Sequence, residues 1–424
     1  MTHISSRTPP PVFDGDTVVR AAFVLALFGW GVGFYGPPIF LYAVVSRTGW
    51  SLPLVSAAVT LHFLFGACVV ACLPRIHRRF GLAATTAGGA ILLALGCIGW
   101  ACAIQPWQLG LAALFTGAGW VPLGAAGINA IVSPWFVRTR PMALAKAYNG
   151  ASLGGMLFSP MWVALIGQYG FPAAALVVGL VMVAVVLPLA GGVLVRTPEA
   201  EPQNTNKAQP GRDSTQAAAP VSPARHRAAR WRDRAFPTLA AAMALGLFAQ
   251  IGMIAQLFSL LAPAIGTTAA GWVMAMATGC GMGGRLAVAR LLGAGADRRR
   301  AACASYAIQA CGTALLLAAP QQLPLVVLGV ALFGLGIGNA TSLPPLIAQA
   351  EFAPADVPRV VARCVAIAQA LYAFAPAALA LLLTHEGHVA LTLGAGTQAF
   401  FGTVLLIQFL AIACMWAGRA TQKQ

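Results

Sequence analysis

Apolar residues run along this chain in long stretches, separated by short clusters of Arg, Lys, Pro and Gly. Twelve stretches can be marked, near residues 19–45, 53–73, 82–104, 107–133, 141–167, 171–195, 236–262, 270–292, 301–319, 324–350, 359–383 and 391–417. Each approaches or exceeds the ~20 residues that a helix needs to cross a bilayer. The segment 196–235, rich in Pro, Ala, Gln, Arg and Ser, divides them six and six and reads as a flexible cytoplasmic linker. The pattern therefore predicts an all-α membrane protein of twelve transmembrane helices in two pseudo-symmetric six-helix bundles, residues 1–195 and 236–424.

Composition supports this. The chain is 59% hydrophobic and 8% charged, with a mean hydropathy of +0.80. A soluble protein of this size could not hide so much apolar surface. The net charge of +16 is not a nucleic-acid signal, because the basic residues cluster between apolar runs. Arg75, Arg78 and Arg79, the linker arginines, Arg298–Arg300 and Arg419 fall on one side, and Arg47 stands on the other. The excess of Lys and Arg predicts that the first side, with both termini, is cytoplasmic. The expected location is the inner, or plasma, membrane. Met1–Thr17 is polar and Pro-rich and the first apolar run has full membrane length, so no cleavable signal peptide is expected. The nine cysteines show no CxxC or Cys/His metal spacing, and neither metal nor cofactor is expected.

The halves repeat. Leu114-Phe115-Thr116-Gly117-Ala118-Gly119 returns as Leu332-Phe333-Gly334-Leu335-Gly336, and Ser159-Pro160 as Ala375-Pro376. Such symmetry marks a secondary transporter with its substrate between the halves. The basic loop Leu73-Pro74-Arg75-Ile76-His77-Arg78-Arg79-Phe80-Gly81, and its second copy around Asp297-Arg298, resemble the loop signature of the major facilitator superfamily. The first copy lacks the usual aspartate. Pro134-Trp135-Phe136-Val137-Arg138-Thr139-Arg140-Pro141-Met142-Ala143, followed by Asn149-Gly150-Ala151-Ser152-Leu153-Gly154-Gly155, is similar to the monocarboxylate porter and oxalate/formate antiporter branch. Arg285 after Gly284 resembles that branch's carboxylate-binding arginine. The first span lacks a membrane lysine, and the eleventh lacks the lysine expected of an oxalate exchanger.

Arg285 is also singled out by its own chemistry. A charge near the bilayer centre costs roughly 2.5–3.5 kcal/mol, so it normally faces protein or a water-filled cavity; the alternative is that it snorkels. It shares a helical face with Thr278 and Met282. None of the ten acids lies well inside a span. A buried cation without a partner is costly, and guanidinium matches a carboxylate in two-point fashion. A small organic anion is the economical ligand.

Other polar positions within spans are candidate substrate contacts: Tyr35 beside the Pro37-Pro38 break, Asn129, Asn149 and Ser152, Gln256, Asn339, and Gln369 with Tyr372. Helix–helix hydrogen bonding is the plain alternative for several of them. Trp30 and Phe34 read as packing. His62 is the one histidine deep in a predicted span and is the candidate proton-coupling residue; the alternative is a neutral imidazole packed against a helix carbonyl. No HExxH, GxSxG or phosphate loop is present, so no enzyme is expected. Three readings remain. The first is a permease for a monocarboxylate-like anion, by proton symport, exchange or facilitated diffusion. The second is an efflux carrier for neutral or amphiphilic compounds. The third is a nontransporting membrane sensor. The expected partners are the anion, protons and the bilayer, and the expected functional unit is one chain.

Overall fold

The computed structural model describes residues 15–136, 139–195, 234–292, 296–383, 391 and 394–419. The expected linker lies outside these residues except for its last two positions, as do Arg138, His385, His388 and both chain ends. The regular elements among the described residues are helices. In lipid the backbone has no solvent to bond to, and a helix satisfies it internally.

The first group is α1 (Gly15–Gly33), α2 (Gly36–Thr48), α3 (Leu52–Phe80), α4 (Leu82–Cys102), α5 (Pro106–Leu123), α6 (Ala125–Val132) and α7 (Arg140–Leu189). The second is α8 (Ala235–Ile265), α9 (Thr267–Leu291), α10 (Arg298–Ala318), α11 (Leu323–Ile337), α12 (Asn339–Glu351), α13 (Val357–Tyr372), α14 (Ala375–Ala380) and α15 (Ala395–Ala417). Prolines occupy the first turn of α2, α3, α5, α11 and α13, where a missing N–H costs nothing. Glycines with positive φ close α2, α3 and α8, at Gly49, Gly81 and Gly266.

Several spans are broken in ways the sequence explains. Pro37 and Pro38 cannot donate to the carbonyls one turn back, and the chain breaks between α1 and α2. Pro122 and Gly124 divide α5 from α6, and Gly338 divides α11 from α12. Each of these two breaks follows a copy of the repeated Leu-Phe motif.

Ten segments among the described residues are long and apolar enough to cross a membrane. The expected twelve differ from these ten at two places. Met142–Leu194 is one segment of 53 residues, which as a single helix would measure about 80 Å. Gly170, with φ 78 and ψ 161, breaks it where the fifth and sixth apolar runs meet. The other place is α9, 25 residues long, whose glycines, threonines and arginines leave it less apolar than the rest.

Elements of each group pack chiefly on one another; contacts between groups include α7 on α9, α2 on α8 and α3 on α14. The chain path gives the assembly an Arg47 end and a basic end carrying Arg75–Arg79 and Arg298–Arg300. Arg47 donates to the carbonyls of Trp100 at 3.4 Å and Ala103 at 2.9 Å, which ties α2 to the end of α4. Near the same end the groups are stitched together. Gln256 Nε2, fully buried, donates to Ser56 Oγ at 3.0 Å and to the Pro376 carbonyl at 3.1 Å. The Ala377 N–H donates to Thr60 Oγ1 at 3.2 Å, and Tyr42 packs edge-on against Phe258 at 5.4 Å.

Candidate functional site

Small residues set the position of Arg285. Gly284 lies flat against the Leu335 carbonyl of α11, which fixes the rotation of α9. Arg285, one residue on, is half-buried and faces α7. Its Nη2 donates to Ser152 Oγ at 3.4 Å, a long and weak bond. Its Nε is buried without a hydrogen-bond partner. Gly338, at the break between α11 and α12, lies against the same guanidinium.

The break between α1 and α2 delivers Tyr35 to this place. Tyr35 is 6% exposed, and its hydroxyl reaches Thr278 of α9. Thr278 passes its own proton to the Met274 carbonyl at 3.1 Å. Gly155 of α7 makes the meeting sterically feasible, because a Cβ there would come within 2.6 Å of both Thr278 and Tyr35. Arg285 is near enough to the Tyr35 hydroxyl to act on it through space. Thus Arg285, Ser152, Tyr35 and Thr278 converge from three spans. The ion pairs among the described residues lie elsewhere: Glu351 with Arg299, Asp356 with Arg359, and Asp297 with Arg419.

Beside this cluster stands a wall of rings. Phe34 touches Tyr35 at 5.0 Å, Trp120 at 6.1 Å and Phe63 at 6.1 Å. Trp30 touches Trp120 at 6.4 Å and Tyr148 at 5.9 Å. Phe63 reaches across to Tyr372 of the second group at 6.0 Å. Asn129, exposed although it lies in a span, donates to the Tyr148 hydroxyl at 2.8 Å. Sequence reasoning took Trp30 and Phe34 as packing and passed over Tyr148. The signal was available, since Tyr148, Ser152 and Gly155 follow one helical face at i, i+4 and i+7.

His62 is fully buried between α3 and α5. Its Nδ1 and Thr116 Oγ1 are 2.9 Å apart. Thr116 donates its own proton to the Ala113 carbonyl at 3.1 Å, so the ring donates from Nδ1. Trp120 stacks on the ring at 5.8 Å. Nε2 has no hydrogen-bond partner; the Gly33 carbonyl lies near the ring, and Pro37, four residues on, has no N–H to donate to it.

The remaining expected residues are dispersed. Asn149 is exposed on α7, and Gln369 is half-buried on α13. Gln256 sits in the seal at the Arg47 end. Asn339 is buried among Ala302, Ser305 and Tyr306 of α10, inside the second group. Arg299 departs most from expectation. Its place in a basic cluster suggested a loop, but it is 1% exposed. Two bonds to Glu351, at 2.6 and 2.8 Å, and one to the Ala235 carbonyl at 2.8 Å satisfy it.

The family model described as Major Facilitator Superfamily matches residues 21–354. Among solved structures, a bacterial homologue of the human lysosomal transporter Spinster, inward-facing and occupied, is similar at 13% identity and TM-score 0.67, covering 96% of each chain. The nucleoside transporter NupG is similar at 13% identity and TM-score 0.66, covering 97% of this chain and 99% of that one. No curated protein matches in sequence.

Proposed function

The chain belongs to the major facilitator superfamily of membrane transporters, and on that premise we propose that it carries a small, monocarboxylate-like organic anion between its two halves. The observation that carries this reading is Arg285, a half-buried guanidinium with one weak hydroxyl contact, a buried Nε without a partner, and no ion pair among the described residues. A carboxylate would complete it with two charge-assisted bonds. The solved relatives share the fold at identities too low to lend their substrates. Breaking the long segment at Gly170 and counting α9 as a crossing turns ten segments into twelve, in two bundles of six. Both termini then lie at the basic end, on the cytoplasmic side of the plasma membrane.

The test is uptake of labelled monocarboxylates into proteoliposomes. Arg285→Lys keeps the charge and loses the planar fork, so affinity should fall strongly; Arg285→Ala should abolish binding. A lost charge-assisted contact is worth roughly 1.5–3 kcal/mol, or about ten- to a hundredfold. Near-normal affinity in a folded Arg285→Ala protein would defeat the proposal. His62 remains the candidate proton carrier, since a proton on Nε2 would find the Gly33 carbonyl. Proton movement evoked by substrate should then be lost in His62→Gln; unchanged movement would remove His62 from the mechanism.

A further inference from the structure

The ring wall and the single arginine together define more than an anion. We propose that the substrate is an aryl monocarboxylate, its carboxylate on Arg285 and its ring among Trp30, Phe34, Trp120 and Tyr148. This rests on reading Arg285 as the anion site.

Three observations carry it. First, the wall begins where the charge ends: Tyr35 is close to Arg285 and stands 5.0 Å from Phe34. Second, Trp30, Phe34 and Tyr148 keep exposed surface in the interior of the spans. Phe34 lies on the side of the second half, because Phe63, in contact with it, also touches Tyr372 of that half. Half-exposed ring faces at this place suit a planar apolar group, since aromatic pairs gain from face and edge geometry beyond the area they bury. Third, the four residues of the wall, Trp30, Phe34, Trp120 and Tyr148, contribute rings, the Tyr148 hydroxyl and the partnerless Nε1 of Trp120, and none of the four is itself a cation. Lys146 and Arg20 line an exposed groove toward the basic end, with Asp16 and Phe23. A dicarboxylate would leave one charge facing rings. A short aliphatic acid would satisfy Arg285 and leave the rings uncovered.

The experiment uses the full chain in detergent and reads quenching of tryptophan fluorescence together with the thermal shift. The probes are benzoate, phenylacetate, cyclohexanecarboxylate, propionate, succinate and benzyl alcohol. Benzoate or phenylacetate should bind about tenfold or more tightly than cyclohexanecarboxylate and propionate, at roughly two- to tenfold per ring contact. Trp30→Ala should erase the preference for aryl over cyclohexyl acid, Trp30→Phe should restore it, and Arg285→Ala should lose every acid. Equal binding of benzoate and cyclohexanecarboxylate by the wild type overturns the aryl assignment and leaves the anion site standing; this comparison needs no variant to fold. Tightest binding of succinate overturns the single charge. Benzyl alcohol binding as well as benzoate, or no acid binding at all, overturns the anion site itself.

Discussion

Gln256 is the side chain whose removal should most plainly change the shape of the transporter. Its Nε2 reaches across to Ser56 Oγ of the first half at 3.0 Å and to the Pro376 carbonyl of its own half at 3.1 Å, and it is fully buried. Gln256→Leu keeps approximate volume and deletes both bonds. Only the Ser56 bond crosses between the halves, since Pro376 belongs to the half of Gln256 itself. At about 1 kcal/mol net for that bond, the sealed state should lose about 1 kcal/mol relative to a state open at the Arg47 end, where Gln256 would meet water. That is about a fivefold change in the ratio. A wild type sealed at 99:1 would then be open in about one molecule in twenty. Thr60→Val, which removes the acceptor of the Ala377 N–H, should act in the same direction by about fivefold. Spin labels at Ser46→Cys and Thr267→Cys would report the distance across that end, with the exposed Cys68, Cys72, Cys102 and Cys311 replaced by Ser. A long-distance population should grow in both variants. Distance distributions that match the wild type in both would refute the idea that these bonds hold the seal.

Glu351→Gln should destabilise the protein by about 3–5 kcal/mol, because it leaves the buried Arg299 cation without its counter-charge; thermal melting in detergent measures this, and Arg299→Met with Glu351→Gln should recover part of the loss. Burial raises the Asp297 carboxyl pKa, but the Arg300 N–H and the Arg419 guanidinium outweigh that and hold it below the usual carboxylate range. A lowered folded pKa means that the stabilisation is complete above the ordinary carboxylate pKa and is lost as pH falls through the lowered one. The melting difference between wild type and Asp297→Asn should thus be present at neutral pH, small because the pair is partly exposed, and vanish in strong acid. Reporter fusions after Arg47 and within the linker should land on opposite sides of the membrane.

The sequence made the membrane class and the helical architecture readable because each rests on a one-dimensional signal, namely run length and repeat. The breaks were readable too, since Pro37-Pro38 removes donors wherever the chain goes. Arg285 stood out by charge in an apolar run. Arg299 did not, because a cation at a helix start looks alike whether it meets water or a glutamate 52 residues later. The division of polar span residues was equally hidden. Gln256 and Asn339 are uncharged polar side chains within spans, as Ser152 is, and only the rotation of each helix, set by contacts such as Gly284 on Leu335, decides which of them meets Arg285.

The energies at the two places also bear on how transport could be driven. A ligand shifts a conformational equilibrium only by its difference in affinity for the two states. Replacing the 3.4 Å contact of Arg285 with Ser152 by a charge-assisted carboxylate pair is worth roughly 1.5–3 kcal/mol. The two hydrogen bonds that cross between the halves at the Arg47 end, Gln256 with Ser56 and Ala377 with Thr60, together hold about 2 kcal/mol by the same scale. These sizes are comparable, so a single bound anion suffices to tip a seal of this kind. The buried ion pair among the described residues, Arg299 with Glu351, lies within the second group, where it need not break. Neutral hydrogen bonds between the halves and an ionic pair inside a bundle suit a protein that alternates between two states of similar energy.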